Sequence, residues 1–272
     1  MQFIKITIAT KTADQRELLI AQFSEMGFEG FEENDEELIS YIPVHLYDKD
    51  GLDAFIKTAD IGYTTEIVKE QNWNAQWEEN FQPVVVEGFC TIRADFHPSN
   101  PNTPLEIIIT PKMSFGTGHH ATTQLMMLMM KDMDLAQKNI LDFGTGTGIL
   151  AILAEKLGAS HIIAIDNDEW SYENAKENIK RNDCKNAAIR LCSIEEISTD
   201  NYDVIVANIN RHILLGAMHI FHNKLTDKGQ LLMSGLLKDD EEIIVTKALD
   251  EGFRLHLKQE KDNWIGLLFD KK

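Results

Sequence analysis

One short segment constrains the fold of this 272-residue chain more than any other. An apolar run that ends at Asp142 is followed by Gly144, Gly146 and Gly148 at alternate positions, and then by apolar residues at helical spacing. Glycine is favoured where a ligand approaches the backbone closely and where the backbone takes a left-handed turn. A helix that begins at such a loop adds N–H donors and partial positive charge. The segment therefore predicts a strand, a ligand-binding loop and a helix.

The spacing of these glycines distinguishes two classes of nucleotide-binding loop. A dinucleotide-binding fingerprint, G-x-G-x-x-G, counted from Gly144 and Gly146 would need glycine at position 149, which is Ile149. The spacing Asp-x-Gly-x-Gly-x-Gly is instead typical of enzymes that use S-adenosylmethionine (SAM). A glycine-rich turn without a ligand is the structural alternative.

Strand-like and helical segments alternate around this loop and on to the end of the sequence. Strand-like runs occur at 140–143, 162–165, 189–192, 204–207, 231–233, 253–257 and 265–269. We expect helices between the first five of these runs, and a hairpin formed by the last two. This alternation predicts an α/β fold with a doubly wound, largely parallel sheet covered on both faces.

Polar residues follow two of the predicted strands directly. Asp166 comes after the second strand, where an acidic side chain can accept hydrogen bonds from both hydroxyls of a ribose. Asp168 is better placed to cap the helix that follows. Asn208 ends the fourth strand, at the sheet edge where ligands bind in doubly wound folds, although a buried structural asparagine is the alternative.

The residues before this domain predict two further parts. Residues 1–69 have the order β-α-β-β-α-β, which is typical of a ferredoxin-like α+β domain. Residues 70–83 carry Trp73, Trp77 and Phe81 at four-residue spacing and predict an amphipathic linker helix that ends at Pro83. Residues 84–272 then form the larger α/β domain, which begins with strand-like runs at 84–94 and 105–110.

Charge and cysteine content limit the possible partners. The formal net charge is −18, and residues 1–70 contribute half of it with 15 acidic and 6 basic residues. Such a surface repels DNA and anionic membranes and favours a basic protein partner. Three cysteines without a C-x-x-C pair indicate a reducing compartment, and the sequence shows neither a signal peptide nor an apolar run that could span a bilayer. We therefore expect a cytoplasmic protein and a monomer.

A longer pattern resembles a known family. The segment from Met113 to Thr123, with Phe115-Gly116-Thr117-Gly118-His119-His120 followed by Thr122 and Thr123, lies upstream of Leu-Asp-Phe-Gly-Thr-Gly-Thr-Gly-Ile-Leu-Ala and Val-Ala-Asn. Together with Asn-Phe-Gln-Pro at 80–83, it resembles the bacterial ribosomal protein L-eleven methyltransferase family over essentially the whole chain.

The resemblance implies a seven-stranded SAM-dependent methyltransferase domain, joined by a mobile linker to a ferredoxin-like domain that recognises the ribosomal protein. It implies that the cofactor is contacted by Thr123, Gly144, Asp166 and Asn208, in addition to Asp142, Gly146 and Gly148 of the loop. The loop of residues 115–118 would cover the cofactor, with His120 at its family position. One departure is the absence of an aspartate after the third strand, where the backbone near Ser193, or Glu195, could contact adenine instead.

The implied reaction is methyl transfer from SAM to lysine side-chain or N-terminal amines of a basic ribosomal protein. Asn208 is the candidate that positions the amine, with Phe115 and His120 in the active-site loop, and no general base is evident. Adjacent histidines point in different directions and lack a third ligand, so we expect no metal. Two alternatives remain: a methyltransferase for a glutamine amide, a small molecule or a nucleic acid, and a non-catalytic SAM-binding protein.

Overall fold

The computed structural model describes residues 2–10, 12–33, 37–59, 61–69, 81–110, 112, 114–197 and 201–272. The chain divides into two compact units, Met1–Trp77 and Glu78–Lys272. The predicted linker helix over 70–83, with Trp73 and Trp77, lies outside the described residues except for its last three positions.

The first unit is a four-stranded antiparallel sheet with two helices. Its elements are β1 (Gln2–Ala9), α1 (Ala13–Glu25), β2 (Glu29–Glu33), β3 (Glu37–Pro43), α2 (Lys49–Ala59) and β4 (Tyr63–Lys69), and the sheet order is β2-β3-β1-β4. Alternate residues of β1, among them Ile6 and Ile8, are buried in one core with Phe23 of α1 and Leu52 of α2. This is the split β-α-β arrangement that the order of elements predicts.

The second unit contains a small sheet and a large one. The strands of the small sheet are β5 (Val84–Val86), β6 (Cys90–Arg93) and β7 (Leu105–Ile108). The large sheet contains β8 (Asn139–Phe143), β9 (His161–Asp166), β10 (Ala187–Leu191), β11 (Tyr202–Asn208), β12 (Leu225–Leu237), β13 (Phe253–Lys261) and β14 (Trp264–Lys271). The helices are α3 (Ala121–Lys131), α4 (Ile149–Lys156), α5 (Glu169–Arg181), α6 (Arg211–Lys224) and α7 (Glu241–Asp250).

The strand order of the large sheet determines where a ligand can bind. The order is β10-β9-β8-β11-β12-β14-β13, with β8 to β12 parallel and the final hairpin antiparallel. Two apolar cores cover its two faces. The direction of strand addition reverses between β8 and β11, so the carboxyl ends of these strands flank the crevice in which doubly wound folds bind ligands.

Two local predictions differ from the structure. The run at 84–94 forms two strands rather than one, because a turn with Glu87 (φ 41°) and Gly88 (φ 66°) in the left-handed region reverses the chain. No α-helix separates β10 from β11 among the described residues, where the connection contains a one-turn 3₁₀ helix, Ile194–Glu196. Residues 192–201 alone connect the two strands, and this length is shorter than that of an average α-helix. Within the described part of the chain, no helix has the length and apolarity needed to cross a membrane.

Candidate active site

The glycine loop connects β8 to α4 at the carboxyl edge of the sheet. Gly144, Gly146 and Gly148 have φ values of 69°, 56° and 81°, which strongly favour glycine. A Cβ atom on Gly144 would lie 2.8 Å from the side chain of Ile209, and one on Gly148 would lie 3.2 Å from Ala175. The loop is therefore closely packed on both sides by the protein itself.

Gly146 lies directly against the segment that contains Phe115. A Cβ atom on Gly146 would come within 2.3 Å of the carbonyl oxygen of Phe115. That carbonyl accepts a hydrogen bond from the N–H of Thr147 (3.0 Å). Glycine is thus required here by the close approach of the Phe115 backbone, whereas the sequence pattern predicts the approach of a ligand.

Asp142 lies beneath the glycine loop, and its side chain is buried. Its Oδ2 accepts hydrogen bonds from the Thr145 hydroxyl (2.5 Å) and from the N–H of Ala151 (3.1 Å), whereas Oδ1 has no hydrogen-bond partner among the described residues. Burial raises the pKa of Asp142 to about 7, and the negative charge of Asp166 adds to this effect. The carboxyl group stabilises the loop from below.

Asp166 ends β9 and faces a cavity of about 400 Å³. Its Oδ2 accepts the N–H of Gly146 (3.0 Å) and its Oδ1 accepts the N–H of Asp168 (3.1 Å), so the carboxylate is oriented by the backbone on both sides. Asp168 caps α5 through a bond from the N–H of Ser171 (2.8 Å), as its position predicts. A volume of this size is within the range of small-molecule sites.

The walls of the cavity are formed by the glycine loop, by acidic side chains and by apolar side chains. Its lining includes Phe143, Gly144, Ile165, Asp166, Asn167, Cys192, Ser193, Ile194, Glu195, Ile209 and Ile213. Ser193 is engaged in a capping box with Glu196, whose carboxylate accepts the N–H of Ser193 (2.9 Å). The cap therefore occupies the N–H of Ser193, whereas the side chain of Glu195 takes no part in it.

Asn208 lies at the end of β11, next to Ile209 of the cavity wall. Its Nδ2 donates to the Thr123 hydroxyl of α3 (3.4 Å), and Thr123 is fully buried. The Oδ1 atom of Asn208 is buried and has no hydrogen-bond partner among the described residues. Because a buried acceptor without a partner is unfavourable, this atom indicates a position where a ligand N–H or O–H can bind.

The ring of His120 and two aromatic rings that pack on it lie at the start of α3, the helix that contains Thr123. His120 is the N-cap residue of α3, and its Nδ1 accepts the N–H of Thr122 (3.3 Å) and contacts the Thr122 hydroxyl (2.8 Å). The Phe115 ring packs against His120 at a centroid distance of 5.3 Å, and Trp264 packs against it at 4.7 Å. Phe115 is 52% exposed. We call Phe115, His120 and Trp264 the aromatic cluster.

Trp264 is the member of this cluster that sequence reasoning missed. It begins β14, far along the chain from the other two residues, and no local motif surrounds it. Only the antiparallel pairing of β14 with β12 brings it to this edge of the sheet. Ile209 and Ile213 were missed for the same reason, since an isoleucine near a helix start carries no sequence signal for a ligand.

No group of three or more histidine, cysteine or acidic side chains within the described ranges is arranged to hold a metal ion. The ring of His119 packs on Phe81 instead (4.9 Å), and its Nδ1 contacts the hydroxyl of Thr117 (3.1 Å). Cys90, Cys184 and Cys192 are free thiols.

The strand order, the glycine loop and the acidic residue at the tip of β9 define a methyltransferase of the doubly wound α/β class. The model of the ribosomal protein L11 methyltransferase (PrmA) family matches residues 4–272. The chain belongs to this family.

Individual relatives agree with the family match. The ribosomal protein L11 methyltransferase of Porphyromonas gingivalis is 43% identical over 260 residues, which cover 93% of this chain and 90% of that protein. The protein of the same name from Chlorobaculum parvum is 37% identical and covers 96% and 94% of the two chains. The crystal structure of ribosomal protein L11 methylase from Lactobacillus delbrueckii subsp. bulgaricus superimposes with a TM-score of 0.65 and 31% identity, over 71% of this chain and 100% of that chain.

Proposed function

We propose that this protein transfers methyl groups from SAM to amines of ribosomal protein L11, namely lysine side chains, the N-terminal amine, or both. The observation that carries the proposal is the buried, unpartnered Oδ1 of Asn208. Asn208 directly precedes Ile209 of the cavity wall, and its amide contacts Thr123 of α3, the helix that begins at the aromatic cluster. A buried acceptor at this position could bind one N–H of the substrate amine. The lone pair of the amine nitrogen would then be free to point at the methyl group.

The cavity fits SAM in its size and in the chemistry of its walls. Asp166 would accept hydrogen bonds from the ribose hydroxyls with the lone pairs that Gly146 and Asp168 leave free. Ile165 and Ile194 would pack on adenine, and Glu195 would accept a hydrogen bond from its amine. Gly144 would allow the cofactor to approach the backbone. When bound, SAM supplies an activated methyl group and leaves as a neutral thioether, so no acid has to protonate the leaving group.

The aromatic cluster and Asn208 would prepare the acceptor amine. A lysine amine has a pKa of about 10.4 in water, so it has to lose its proton before it can act as a nucleophile. Aromatic rings around the aliphatic stem replace water near the nitrogen, and this desolvation lowers the pKa of the amine. His120 accepts the N–H of Thr122 at Nδ1, so it is no base through that atom. The amine proton would pass to water, and Asn208 would align the neutral amine.

The first unit would bind the protein substrate. Exposed carboxylates at Glu32 and Glu37 suit a basic partner, and the cofactor and amine sites use residues of the second unit only. Remote binding of this kind converts a flexible side chain into an aligned reactant. A cytoplasmic location and a monomeric state remain predictions.

The decisive experiment incubates the protein with isotopically labelled SAM and purified ribosomal protein L11. We expect label in L11 in steps of one methyl group, located by peptide mass analysis at lysine or N-terminal amines. An Asn208→Ala variant should incorporate label far more slowly, even at a SAM concentration that saturates it. SAM binding without transfer to L11, but with transfer to a small molecule or a glutamine amide in an extract, would contradict the proposed substrate. SAM binding with no transfer at all would indicate a non-catalytic protein.

A further inference from the structure

Thr147, in the middle of the glycine loop, contacts two other segments of the chain. Its N–H donates to the carbonyl of Phe115 (3.0 Å) and its hydroxyl donates to the carbonyl of Gly116 (2.7 Å). Its own carbonyl accepts a hydrogen bond from Nδ2 of Asn178 in α5 (2.9 Å). Thr147 is fully buried, so these contacts are shielded from water.

Asn178 extends this connection to the strand that leads into the active-site loop. It is fully buried, and its Oδ1 accepts the N–H of Thr110 (2.8 Å). Thr110 precedes the Phe115 segment by a few residues. The side chain of Asn178 therefore joins the glycine loop to the residues that precede the Phe115 segment.

Two glycines allow the loops to touch without an intervening side chain. A Cβ atom on Gly116 (φ 102°) would lie 2.8 Å from the Thr147 hydroxyl, and one on Gly146 would strike the Phe115 carbonyl. Contacts this close leave little room for sliding, and hydrogen bonds add direction. The position of Phe115 relative to the glycine loop is thus determined by Thr147.

From these contacts we infer that Thr147 and Asn178 are positioning residues for methyl transfer, an inference that rests on the proposed function. They hold residues 114–120 against the glycine loop, and so determine where Phe115 and His120 face the acceptor amine. Neither residue lines the cavity. Their loss should therefore affect turnover of the acceptor more than affinity for the cofactor.

The structure also provides a matched control at the C-cap of the same helix. Asn182, one turn after Asn178, accepts the N–H of Ile108 (2.9 Å) and donates to its carbonyl (2.6 Å). It makes the same kind of contact with the preceding residues of this segment, but no hydrogen bond joins it to the glycine loop in the described part of the chain. A purely structural role predicts similar effects at both asparagines, whereas a positioning role predicts an effect on turnover at Asn178 alone.

The test compares full-length Thr147→Val, Thr147→Ser, Asn178→Ala and Asn182→Ala with the unmodified protein. Valine keeps the shape and the backbone groups of Thr147 but removes the hydroxyl, and serine retains the hydroxyl. We expect Thr147→Val and Asn178→Ala to lower kcat for ribosomal protein L11 about tenfold or more, with the Kd for SAM changed less than about threefold. Thr147→Ser and Asn182→Ala should stay within about threefold of the unmodified kcat.

Deuterium uptake by residues 114–120, measured without substrate, gives a second readout. It should be faster in Thr147→Val and unchanged in Thr147→Ser. Three results would each overturn the inference. The first is an unchanged kcat in a folded Thr147→Val protein, and the second is a loss of turnover in Thr147→Ser. The third is an equal loss of SAM affinity and turnover. If the unmodified protein does not methylate L11, the proposed function fails, and the uptake comparison alone then decides whether Thr147 holds the loop.

Discussion

The amide of Asn208 donates to the hydroxyl of Thr123 across 3.4 Å, and this bond leaves the second polar atom of the amide, Oδ1, buried and without a partner. The two residues come from β11 and α3, so the relationship exists only in the folded protein. Thr123 fixes which polar atom of the Asn208 amide is left to accept a hydrogen bond from a ligand. An amide held in this orientation can accept an N–H without rotating.

This relationship predicts the effect of Thr123 on the reaction. Thr123→Val removes the acceptor for Nδ2 and frees the Asn208 amide to turn, so kcat for the protein substrate should fall about tenfold, while Thr123→Ser should retain most of it. Asn208→Ala should lower kcat further, by about a hundredfold. Steady-state kinetics with ribosomal protein L11 would check this order, and equal turnover of the valine and serine variants would argue against it.

Asp166 should contribute to cofactor affinity. Asp166→Ala removes the proposed ribose acceptor and should weaken SAM binding by about 1.5–3 kcal/mol, the range for hydrogen bonds to a charged group. Asp168→Ala serves as the control, since that side chain caps α5 rather than lining the cavity. Titration calorimetry that shows unchanged SAM affinity in a folded Asp166→Ala protein would move the ribose contact elsewhere.

Asp142 should make stability depend on pH in an unusual direction. Its pKa of about 7 in the folded protein exceeds the ordinary value of 3.8, so the folded protein holds a proton that the unfolded chain releases. Its contribution to stability is fully present below about pH 4 and is lost as pH rises towards about 7. The Asp142→Asn variant has no group that ionises at this position. Its unfolding free energy should therefore increase relative to that of the unmodified protein as pH rises through this window, by up to about 4 kcal/mol.

Urea denaturation of both proteins at several pH values between about 4 and about 8 would measure this difference. Comparison with the variant removes the contribution of the other carboxyl groups, such as Glu106 and Glu177, whose pKa values are lowered to about 2 by ion pairs and hydrogen bonds. Stability curves that run parallel for the two proteins would show that Asp142 is already ionised at acid pH.

The second unit should bind SAM without the first. Removal of the chain before Glu78 keeps Phe81, which is buried in the second unit with its ring near those of His97 and His119. A cut at Gln82 would remove this side chain and destabilise the core. We expect the shortened chain to retain SAM affinity and to lose methylation of L11. Full activity of the shortened chain would show that the second unit recognises its substrate unaided.

The acidic surface of the first unit should accelerate association with a basic substrate. Exchange of the exposed Glu32 and Glu37 for lysine should slow association with L11, and the rate for the unmodified protein should fall as salt increases. The same charge change at Asp134 and Asp227, exposed positions of the second unit, is the control. Stopped-flow association rates that are equal for the two double variants would remove any specific role for the first unit's charge.

Much of the fold could be predicted because its signals are local. Alternating apolar residues determined β1, and the strand–glycine–helix pattern determined β8, its loop and α4, since each depends on conformational preferences within about ten residues. Asp166 and Asn208 could be placed at the sheet edge because they follow buried strands directly. The break between β5 and β6 was missed because its turn places Glu87 at positive φ. Glutamate rarely adopts this conformation, so the residue type does not predict a turn there.

The sequence by itself thus determined the order of the elements and the residues at the strand ends, since hydrophobic periodicity and backbone preference act between near neighbours along the chain. Only the tertiary structure decided which distant residues complete the site. Trp264 reaches His120 through the pairing of β14 with β12, and Gly146 must be glycine because the Phe115 carbonyl packs on it. Close packing between segments far apart in sequence depends on the exact placement of whole strands and helices, and no local pattern encodes that placement.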